Sequence, residues 1–276
     1  MYKVLCKDTI ATEIIPHLSV AKRGFKTKSC LVEIVNSILY KLKTGIQWHM
    51  LPVRCLFSHT PLSYKTVFGH SRKWCKNGDW HSGWIRILSN HKESLDLSSA
   101  DIDGSHTTAL KGGAQVAFQK RKAKKTTNAL YLTERQGLSL SISSPVAGNH
   151  HDLYHIENSL NELFTTLVSA NIKLNGLFIQ ADAGFDSKEF RKVCYQYGVF
   201  ANVDFNHRNG DHNEDRALDE VLYRERYSIE RTNAWLDSFR TLLNRFETKV
   251  SSWKAFNYIA FIVILLRKID KKKKSR

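Results

Sequence analysis

The spacing of apolar residues divides the chain into a helical first part and a second part that mixes strands with helices. In residues 1–95, apolar positions recur at three- and four-residue steps in Leu31–Leu42 and in Ser63–Cys75. This period predicts two amphipathic helices, each followed by a glycine that favours a helix end. Trp80–Leu88 is predicted as a third helix. The first part is therefore expected to be a small all-α domain.

After residue 95 the pattern changes toward the two-residue period of strands. Ala100–Asp103 is predicted as a short strand and Gly104–Lys125 as a loop rich in Gly and Lys. Thr126–Thr133 and Leu138–Val146 are predicted as the strands of a hairpin. The later segments alternate in the order helix, strand, helix, strand: Asp152–Ala170 with Asp152 as its cap, Gly176–Gln180, Ser187–Tyr197 and Val199–Val203. This order predicts an α/β fold in which helices flank a mixed β-sheet.

The segment Leu222–Glu247 is predicted to form one long amphipathic helix, because it lacks Gly and Pro and its apolar residues fall at helical steps. Several arginines lie along it around one carboxylate, Glu230. Ion pairs on an exposed helix face explain such a pattern without any function. A second interpretation, in which Glu230 serves a binding site, depends on acidic residues elsewhere in the chain.

The charge balance narrows the kind of partner. The 276 residues include 42 Lys and Arg against 26 Asp and Glu, a formal net charge of +16. Such an excess points to a polyanion, most often nucleic acid. The helices of the first part are compatible with a helix-turn-helix DNA-binding domain, and about equally with a plain helical bundle.

Cysteine usage and hydropathy indicate the compartment. The five cysteines are scattered, without the spacing of a zinc site or a disulfide framework, so a reducing compartment is expected. The longest apolar run, Ala255–Leu266, is shorter than the ~20 residues that cross a bilayer. It is predicted as a buried helix, and no membrane association is expected.

Two aspartates lie at the ends of predicted strands. Asp103 ends the first strand and Asp182 follows Gly176–Gln180, and small residues come directly after both. Ligands of open α/β sheets bind at such strand ends, and carboxylates are the ligands that Mg²⁺ prefers. With Glu230 as a third group, two Mg²⁺ ions ~4 Å apart would promote displacement at phosphorus. The alternative is that both aspartates are turn residues and helix caps. Asp101 shares the strand face of Asp103 and is a candidate for an outer supporting group.

A set of motifs supports the metal interpretation. In chain order they are LYKLKTGIQWHMLP (39–52), DGSHT (103–107), NALYLTERQGL (128–138), AGNHHDLY (147–154), ADAGFDS (181–187), RYSIERTNAWLDSFR (226–240) and SSWKAFNYIAFIVILL (251–266). Their order and spacing resemble those of the DDE transposases of bacterial insertion sequences, in the insertion-sequence-five group. The resemblance covers nearly the whole chain.

The resemblance implies an organisation and a set of partners. A helix-turn-helix-like DNA-binding domain is expected over 1–95, an RNase H-like catalytic domain over 96–270 and a basic tail over 271–276. The implied reaction is cleavage of transposon ends and their joining to target DNA. The implied partners are the double-stranded DNA of the terminal inverted repeats and of the target, bound by a dimer. A cytoplasmic location at the nucleoid follows.

The resemblance also assigns residues. It implies that Asp103, Asp182 and Glu230 are catalytic and hold two Mg²⁺ ions, for which Mn²⁺ is expected to substitute. Related transposases carry Tyr, two residues, Arg, three residues, Glu, six residues, Lys; here Asp237 stands where they have Lys. Arg231 or Arg240 is a candidate substitute for that Lys. The DNA contacts expected from the basic segment and from this signature are Lys120, Arg121, Lys122, Lys124, Lys125, Tyr223, Arg226, Arg231 and Arg240.

Two rival functions remain open at this point. A metal-dependent nuclease on the same core would hydrolyse DNA without joining it. A non-catalytic protein that binds transposon ends would need no intact acids, and the presence of all three acidic residues disfavours it. His150 and His151 precede Asp152. Either their imidazoles hold a phosphate or a water near the metal site, or they cap the loop.

Overall fold

The computed structural model describes residues 3–20, 30–59, 61–209 and 218–274. Its α-helices are α1 (Lys7–Thr9), α2 (Leu31–Thr44), α3 (Val53–Leu56), α4 (Tyr64–Asn77), α5 (Asp79–Asn90), α6 (Ile156–Ser169), α7 (Lys188–Gln196), α8 (Glu220–Arg224), α9 (Ser228–Asp237), α10 (Arg240–Leu243) and α11 (Val250–Lys274). Its strands are β1 (Ser99–Ala109), β2 (Ala117–Gln119), β3 (Lys124–Glu134), β4 (Ser139–Ile142), β5 (Val146–Ala147), β6 (Phe178–Ala181), β7 (Phe200–Val203) and β8 (Asn244–Arg245). Short 3₁₀ turns include Lys120–Lys122 and Ala183–Phe185.

The chain packs as two compact units. The first combines Met1–Ile87 with Trp235–Arg276, and the second is Leu88–Ala234. The boundary at residue 234 falls inside α9. The expected DNA-binding, catalytic and tail segments were defined by function and not by packing. These three segments stay predictions.

Helices form the core of the first unit. α2 contacts α4, α10 and α11, and aromatic rings fill the space between helices. The rings of Trp74 and Trp80 meet edge-on at 5.9 Å, and those of Trp84 and Phe261 at 5.6 Å. The predicted helix ends are confirmed, because Gly45 and Gly78 adopt the left-handed φ of 70° and 74° that glycine reaches most readily.

α11 contains the longest apolar run of the chain. Val250–Lys272 is long and apolar enough to cross a membrane by length and composition, and 67% of its apolar window is buried inside the protein. Burial of this kind is found in the core helices of folded domains. The prediction of a buried helix is confirmed, and α11 continues into the predicted tail as far as Lys274.

A mixed sheet forms the second unit. Its strand order is β2-β3-β1-β6-β7, with β4 and β5 also paired to β3. β3 and β4 are antiparallel to their neighbours, while β1, β6 and β7 run parallel. An antiparallel meander followed by parallel strands, with helices as crossovers, is the RNase H-like topology. The predicted fold class, a mixed α/β sheet with flanking helices after an α-helical region, is confirmed.

The first part of the predicted basic loop is wrong. β1 does not stop at Asp103 but runs on to Ala109, and it pairs with β3 along its length from Ala100↔Glu134 to Thr108↔Thr126. Gly104 lowers the strand propensity of the sequence, but pairing with a full-length partner strand overrides it. The hairpin from β3 to β4 is confirmed, although the second predicted strand is interrupted before β5, where Pro145 has no N–H to donate.

The single long helix predicted for Leu222–Glu247 is also wrong. The segment forms α8, α9 and α10 with breaks between them. α9 begins at Ser228, whose backbone N–H donates to a side chain of β1 rather than to a preceding helical turn. At Phe239 the backbone is extended before α10. Long-range contacts thus override a pattern that is locally helical throughout.

Candidate active site

The parallel pairing of β1 and β6 brings the two predicted aspartates together. Asp101 on β1 faces Gln180 on β6 in the register. Asp103 and Asp182 each follow two residues later, just beyond the segment in which β1 and β6 are paired. Asp103 is half-buried and Asp182 is exposed. They lie close enough for the charge of Asp182 to act on the titration of Asp103.

The surroundings of Asp103 oppose its ionisation. The pKa of its carboxyl is raised from the ordinary value of 3.8 to about 6, mainly by burial and also by the negative charges of Asp152 and Asp182. The N–H of Gly104, which donates to Asp103 Oδ1 at 2.8 Å, and the nearby Arg226 act in the other direction. Carboxylates that repel one another at such a place favour a bound cation.

Asp182 also makes the contact that the alternative interpretation predicted. Its Oδ1 accepts the N–H of Gly184 at 2.8 Å and caps the 3₁₀ turn Ala183–Phe185. That bond fixes one carboxylate oxygen and leaves Oδ2 outside this cap. Capping and ligand binding are therefore compatible roles for this side chain.

Asp152 is a member of the cluster that sequence reasoning assigned to a helix cap. That assignment is wrong, because α6 begins at Ile156 after His155, which adopts a left-handed φ of 55°. Asp152 Oδ1 instead accepts the Nδ2–H of Asn128 at 2.7 Å. A Cβ added at Gly104 would lie 2.0 Å from Asp152 Oδ1, so glycine is what lets this carboxylate approach β1. The only sequence signal was its place in the motif AGNHHDLY.

Replacing Asp152 by Asn should lower the pKa of Asp103 to below about 6, because a neutral amide no longer opposes ionisation of its neighbour. An NMR titration of the side-chain carboxyl carbons in the metal-free protein measures this. Glu189→Gln, in α7, removes a negative charge from the same unit and serves as the control, with no change expected at Asp103. An Asp103 pKa that stays the same or rises in Asp152→Asn would contradict the arrangement.

Glu230 lies in the first turn of α9 and is exposed. The two residues before it, Ser228 and Ile229, are buried. Within the described parts of the chain, no three His, Cys, Asp or Glu side chains stand close enough together to hold a metal ion. The structure thus brings Asp103 and Asp182 together and leaves Glu230 outside a closed site; its role stays a prediction.

The chemistry of the donors fits a hard divalent cation. Asp103 and Asp182 offer oxygen ligands only, as does Asp152 beside them. Mg²⁺ prefers such oxygens, needs few of them from the protein and keeps waters and substrate phosphates in its other positions. Two neighbouring carboxylates are therefore enough protein ligands to start a Mg²⁺ site.

Two members of the sequence signature lie beside the acids. The guanidinium of Arg226 is 5.3 Å from the ring centre of Tyr223 and acts electrostatically on Asp103. Burial raises the pKa of the Tyr223 hydroxyl, and Asp182 is among the charges that raise it further. Tyr223 and Arg226 are thus neighbours of the carboxylate pair, and the DNA contacts expected of them stay predictions.

Arg231 points elsewhere. Its Nη1–H donates to the carbonyl of Gln136 in the β3–β4 turn at 3.0 Å, and its guanidinium lies 5.6 Å from the ring centre of Tyr227. Arg240, the other candidate for the missing Lys, is an exposed residue of the first unit at the start of α10. The DNA contacts expected of both stay predictions.

The basic segment forms the turn between β2 and β3 and the first two residues of β3, so the loop predicted to reach Lys125 is wrong at this end as well. Its predicted DNA-contact residues are all exposed: Lys120, Arg121, Lys122, Lys124 and Lys125. Burial lowers the pKa of His106 on β1; Arg121 and Lys122 lower it further, and Asp152 opposes them. His106 therefore lies between the basic turn and the acidic cluster. Cationic groups of the basic segment therefore lie near the acidic cluster, as Arg226 does.

The histidines before Asp152 are held by the loop. The rings of His150 and Tyr154 stack with centroids 3.6 Å apart, and the carbonyl of His151 accepts the N–H of Tyr154 at 3.0 Å. These contacts support the structural alternative for His150. His151 is exposed.

Fold and site together define a class: an RNase H-like enzyme with neighbouring carboxylates on its central strand and directly after the next one, and with cationic side chains near them. Residues 102–267 match the family described as "DDE superfamily endonuclease". Residues 10–84 match the family described as "Putative transposase of IS4/5 family". No curated protein matches the chain.

Solved structures resemble the chain only distantly. The chain is similar to a Mos1 transposase paired-end complex with left transposon end, at 12% identity and a TM-score of 0.30, over 88% of this chain and 80% of that one. It is similar to a pre-cleavage Mos1 transpososome at 10% identity and a TM-score of 0.28, over 89% of this chain and 80% of that one. Likeness at this level adds nothing to the assignment.

The chain belongs to the DDE superfamily endonuclease family, whose match spans more than half of its length. Together with the match of its helical region to IS4/5 transposases, this makes it a DDE transposase. Enzymes of the superfamily use divalent metal ions. The resemblance found in the sequence motifs is confirmed.

Proposed function

We propose that this transposase cuts the ends of its element and joins them to target DNA, with Asp103, Asp182 and Glu230 as the catalytic acids. The proposal depends on one observation: the pairing of β1 with β6 brings Asp103 and Asp182 close together, with Arg226 near Asp103. Acids alone would repel a phosphodiester. Acids beside fixed cationic groups suit a phosphodiester that reacts with the help of a divalent cation.

Two Mg²⁺ ions, or Mn²⁺ in their place, would be held by Asp103 and Asp182 and completed by Glu230. When bound, such cations activate the attacking oxygen and stabilise the leaving oxygen of an in-line displacement. Asp103 must be ionised to bind a metal ion. Because its pKa is raised to about 6, metal binding should weaken as the pH falls below that value.

The residues of the chain orient the reacting phosphate. Arg226 offers a guanidinium beside Asp103, and Tyr223 is held against Arg226 near Asp182. Water attacks the phosphodiester at the end of the element, which breaks the P–O bond to the 3′ oxygen and frees a 3′-hydroxyl. That hydroxyl then attacks a phosphodiester of the target, whose own 3′ oxygen leaves. Each step exchanges one P–O bond for another, so no external energy source is needed.

The basic turn supplies the path for the DNA backbone. Five exposed Lys and Arg residues between 120 and 125 lie at one side of the acids, with His106 between the two groups. Phosphate contacts of this kind position the duplex without reading its sequence. Terminal repeats and target DNA are the proposed duplexes, bound by a dimer at the nucleoid in the cytoplasm.

Joining separates the proposal from its nuclease rival. Pre-cut transposon ends that carry a 3′-hydroxyl should be transferred to target DNA in Mg²⁺, because the hydroxyl is the nucleophile of the second step. Strand-transfer products on a denaturing gel measure this, and the same ends terminated by a 3′-dideoxynucleotide are the matched control. Hydrolysis of intact ends without any joining would favour the nuclease. End-specific binding with neither reaction would favour the non-catalytic protein.

A further inference from the structure

A buried hydrogen-bond network lies beneath the candidate acids. Asp101 is only 1% exposed, in the middle of the sheet between Thr133 on β3 and Gln180 on β6. Its Oδ1 accepts the Nε2–H of Gln180 at 3.1 Å. Its Oδ2 accepts the backbone N–H of Ser228 at 3.2 Å and is also hydrogen-bonded to the Ser228 hydroxyl. One carboxylate therefore ties together β1, β6 and the start of α9.

Each member of the network lies two residues before a candidate metal ligand. The pairs are Asp101 and Asp103, Gln180 and Asp182, and Ser228 and Glu230. Residues two apart on a strand lie on the same face, so Asp101 and Asp103 project to one side of the sheet. Ser228 is buried at the start of α9, and Glu230, two residues further along, is exposed, as Asp182 is.

The network gives a fully buried carboxyl its partners. Both oxygens of Asp101 have hydrogen-bond partners in other elements, Gln180 on β6 and Ser228 at the start of α9. A buried polar group without a partner is costly. The carboxyl therefore favours the one arrangement of β1, β6 and α9 in which these bonds are made.

We propose that Asp101 and Ser228 are positioning residues that fix the start of α9 on β1, and with it the place of Glu230 relative to the strands that carry Asp103 and Asp182. This inference rests on the proposed function of those three acids. Neither Asp101 nor Ser228 is proposed to touch metal or DNA. Their effect is on the geometry of the acids, and supporting residues of this kind change metal affinity by roughly 10- to 100-fold when removed.

The test measures Mn²⁺ binding by the full chain without DNA. Binding is detected as a loss of the free Mn²⁺ signal in electron paramagnetic resonance. Ser228→Ala and Asp101→Asn should each weaken Mn²⁺ binding by about tenfold or more. Thr232→Ala is the matched control in the same helix. Thr232 is equally buried, and its hydroxyl contacts the carbonyl of Gly137 at 2.6 Å and the backbone carbonyl of Ser228 at 3.2 Å. Its loss removes buried bonds of α9 that involve neither the Asp101 carboxyl nor the Ser228 side chain. For the control we expect a Mn²⁺ affinity within about twofold of wild type, even if its melting temperature falls as far as that of Ser228→Ala.

Two further variants keep the inference separate from the proposed function. If Asp103→Asn and Glu230→Gln bind Mn²⁺ like wild type, the proposed metal site is wrong. If they lose binding while Ser228→Ala and Asp101→Asn keep it, the site stands and the positioning role is wrong. A Thr232→Ala variant that loses binding as strongly as Ser228→Ala would also overturn the inference, since any destabilisation of α9 would then suffice.

Separate effects on kcat and KM test the same positioning role in the active enzyme. Ser228→Ala should lower kcat for end cleavage at saturating DNA by about tenfold and leave KM for the DNA unchanged, because the phosphate contacts remain in place. A rise in KM with kcat unchanged would contradict a role in the alignment of the acids. Asp101→Asn provides the second variant should Ser228→Ala fail to fold.

Discussion

Asp103→Asn should reduce end cleavage by roughly a thousandfold or more, about 4 kcal/mol of transition-state stabilisation. The amide keeps the shape of the side chain and its bond from Gly104, but removes the charge that would hold a cation beside the central strand. DNA binding should change little, because the proposed phosphate contacts are made by basic residues. Cleavage of labelled ends in Mg²⁺, with a gel-shift measurement of binding, checks both expectations.

Glu189→Gln is the matched control for this experiment. It also replaces one carboxylate of the second unit by an amide, on the exposed face of α7, and should cleave at the wild-type rate. Cleavage by Asp103→Asn within a fewfold of wild type would remove Asp103 from the catalytic acids. Loss of DNA binding together with cleavage would show that the variant acts on something other than the chemical step.

The second large effect is a pH dependence of stability in the metal-free protein. The pKa of Asp103 is about 6 in the folded chain against an ordinary value of 3.8. A raised carboxyl pKa means that the folded state binds the proton more tightly, so stability from this group is fully present below about pH 4 and is lost as pH rises through about 6. At 1.36 kcal/mol per unit, the unfolding free energy should fall by roughly 2–3 kcal/mol over that interval.

Urea unfolding in EDTA at a series of pH values from 4 to 8 measures this through the difference between wild type and Asp103→Asn. The variant cannot ionise at this position, so its stability advantage over wild type should grow with pH and level off above about 7. Saturating Mg²⁺ should reduce the advantage, because a bound cation favours the ionised carboxyl. A difference that stays constant with pH would contradict the raised pKa.

Much of the architecture could be predicted because the local signals agree with the fold. Gly45 and Gly78 end helices where the pattern ends, and the β3–β4 hairpin follows from its turn residues. The position of Asp182 directly after a strand follows from the apolar run before it, whereas Asp103 lies within β1, which continues to Ala109. Order and spacing of the motifs were sufficient for the family, because a family constrains many positions at once.

The incorrect predictions share one cause, which is contact between residues far apart in the chain. The segment 222–247 is helical by every local criterion, yet α9 starts at Ser228 because a carboxylate 127 residues earlier accepts its N–H. Asp152 has the sequence context of a cap, yet Asn128 holds it beside Asp103. Local propensity is worth tenths of a kcal/mol per residue, and a buried hydrogen bond to a charge exceeds it.

The sequence by itself determined the family, the mixed α/β class and the three candidate acids, since these depend on residue type and order along the chain. Only the tertiary structure decided which groups surround those acids. It placed Arg226 and Asp152 beside Asp103, and it revealed Asp101 as the link between β1, β6 and α9. The reason is physical: the pKa of a carboxyl and the direction of a helix depend on neighbours in space, and strand pairing brings those neighbours from distant parts of the chain.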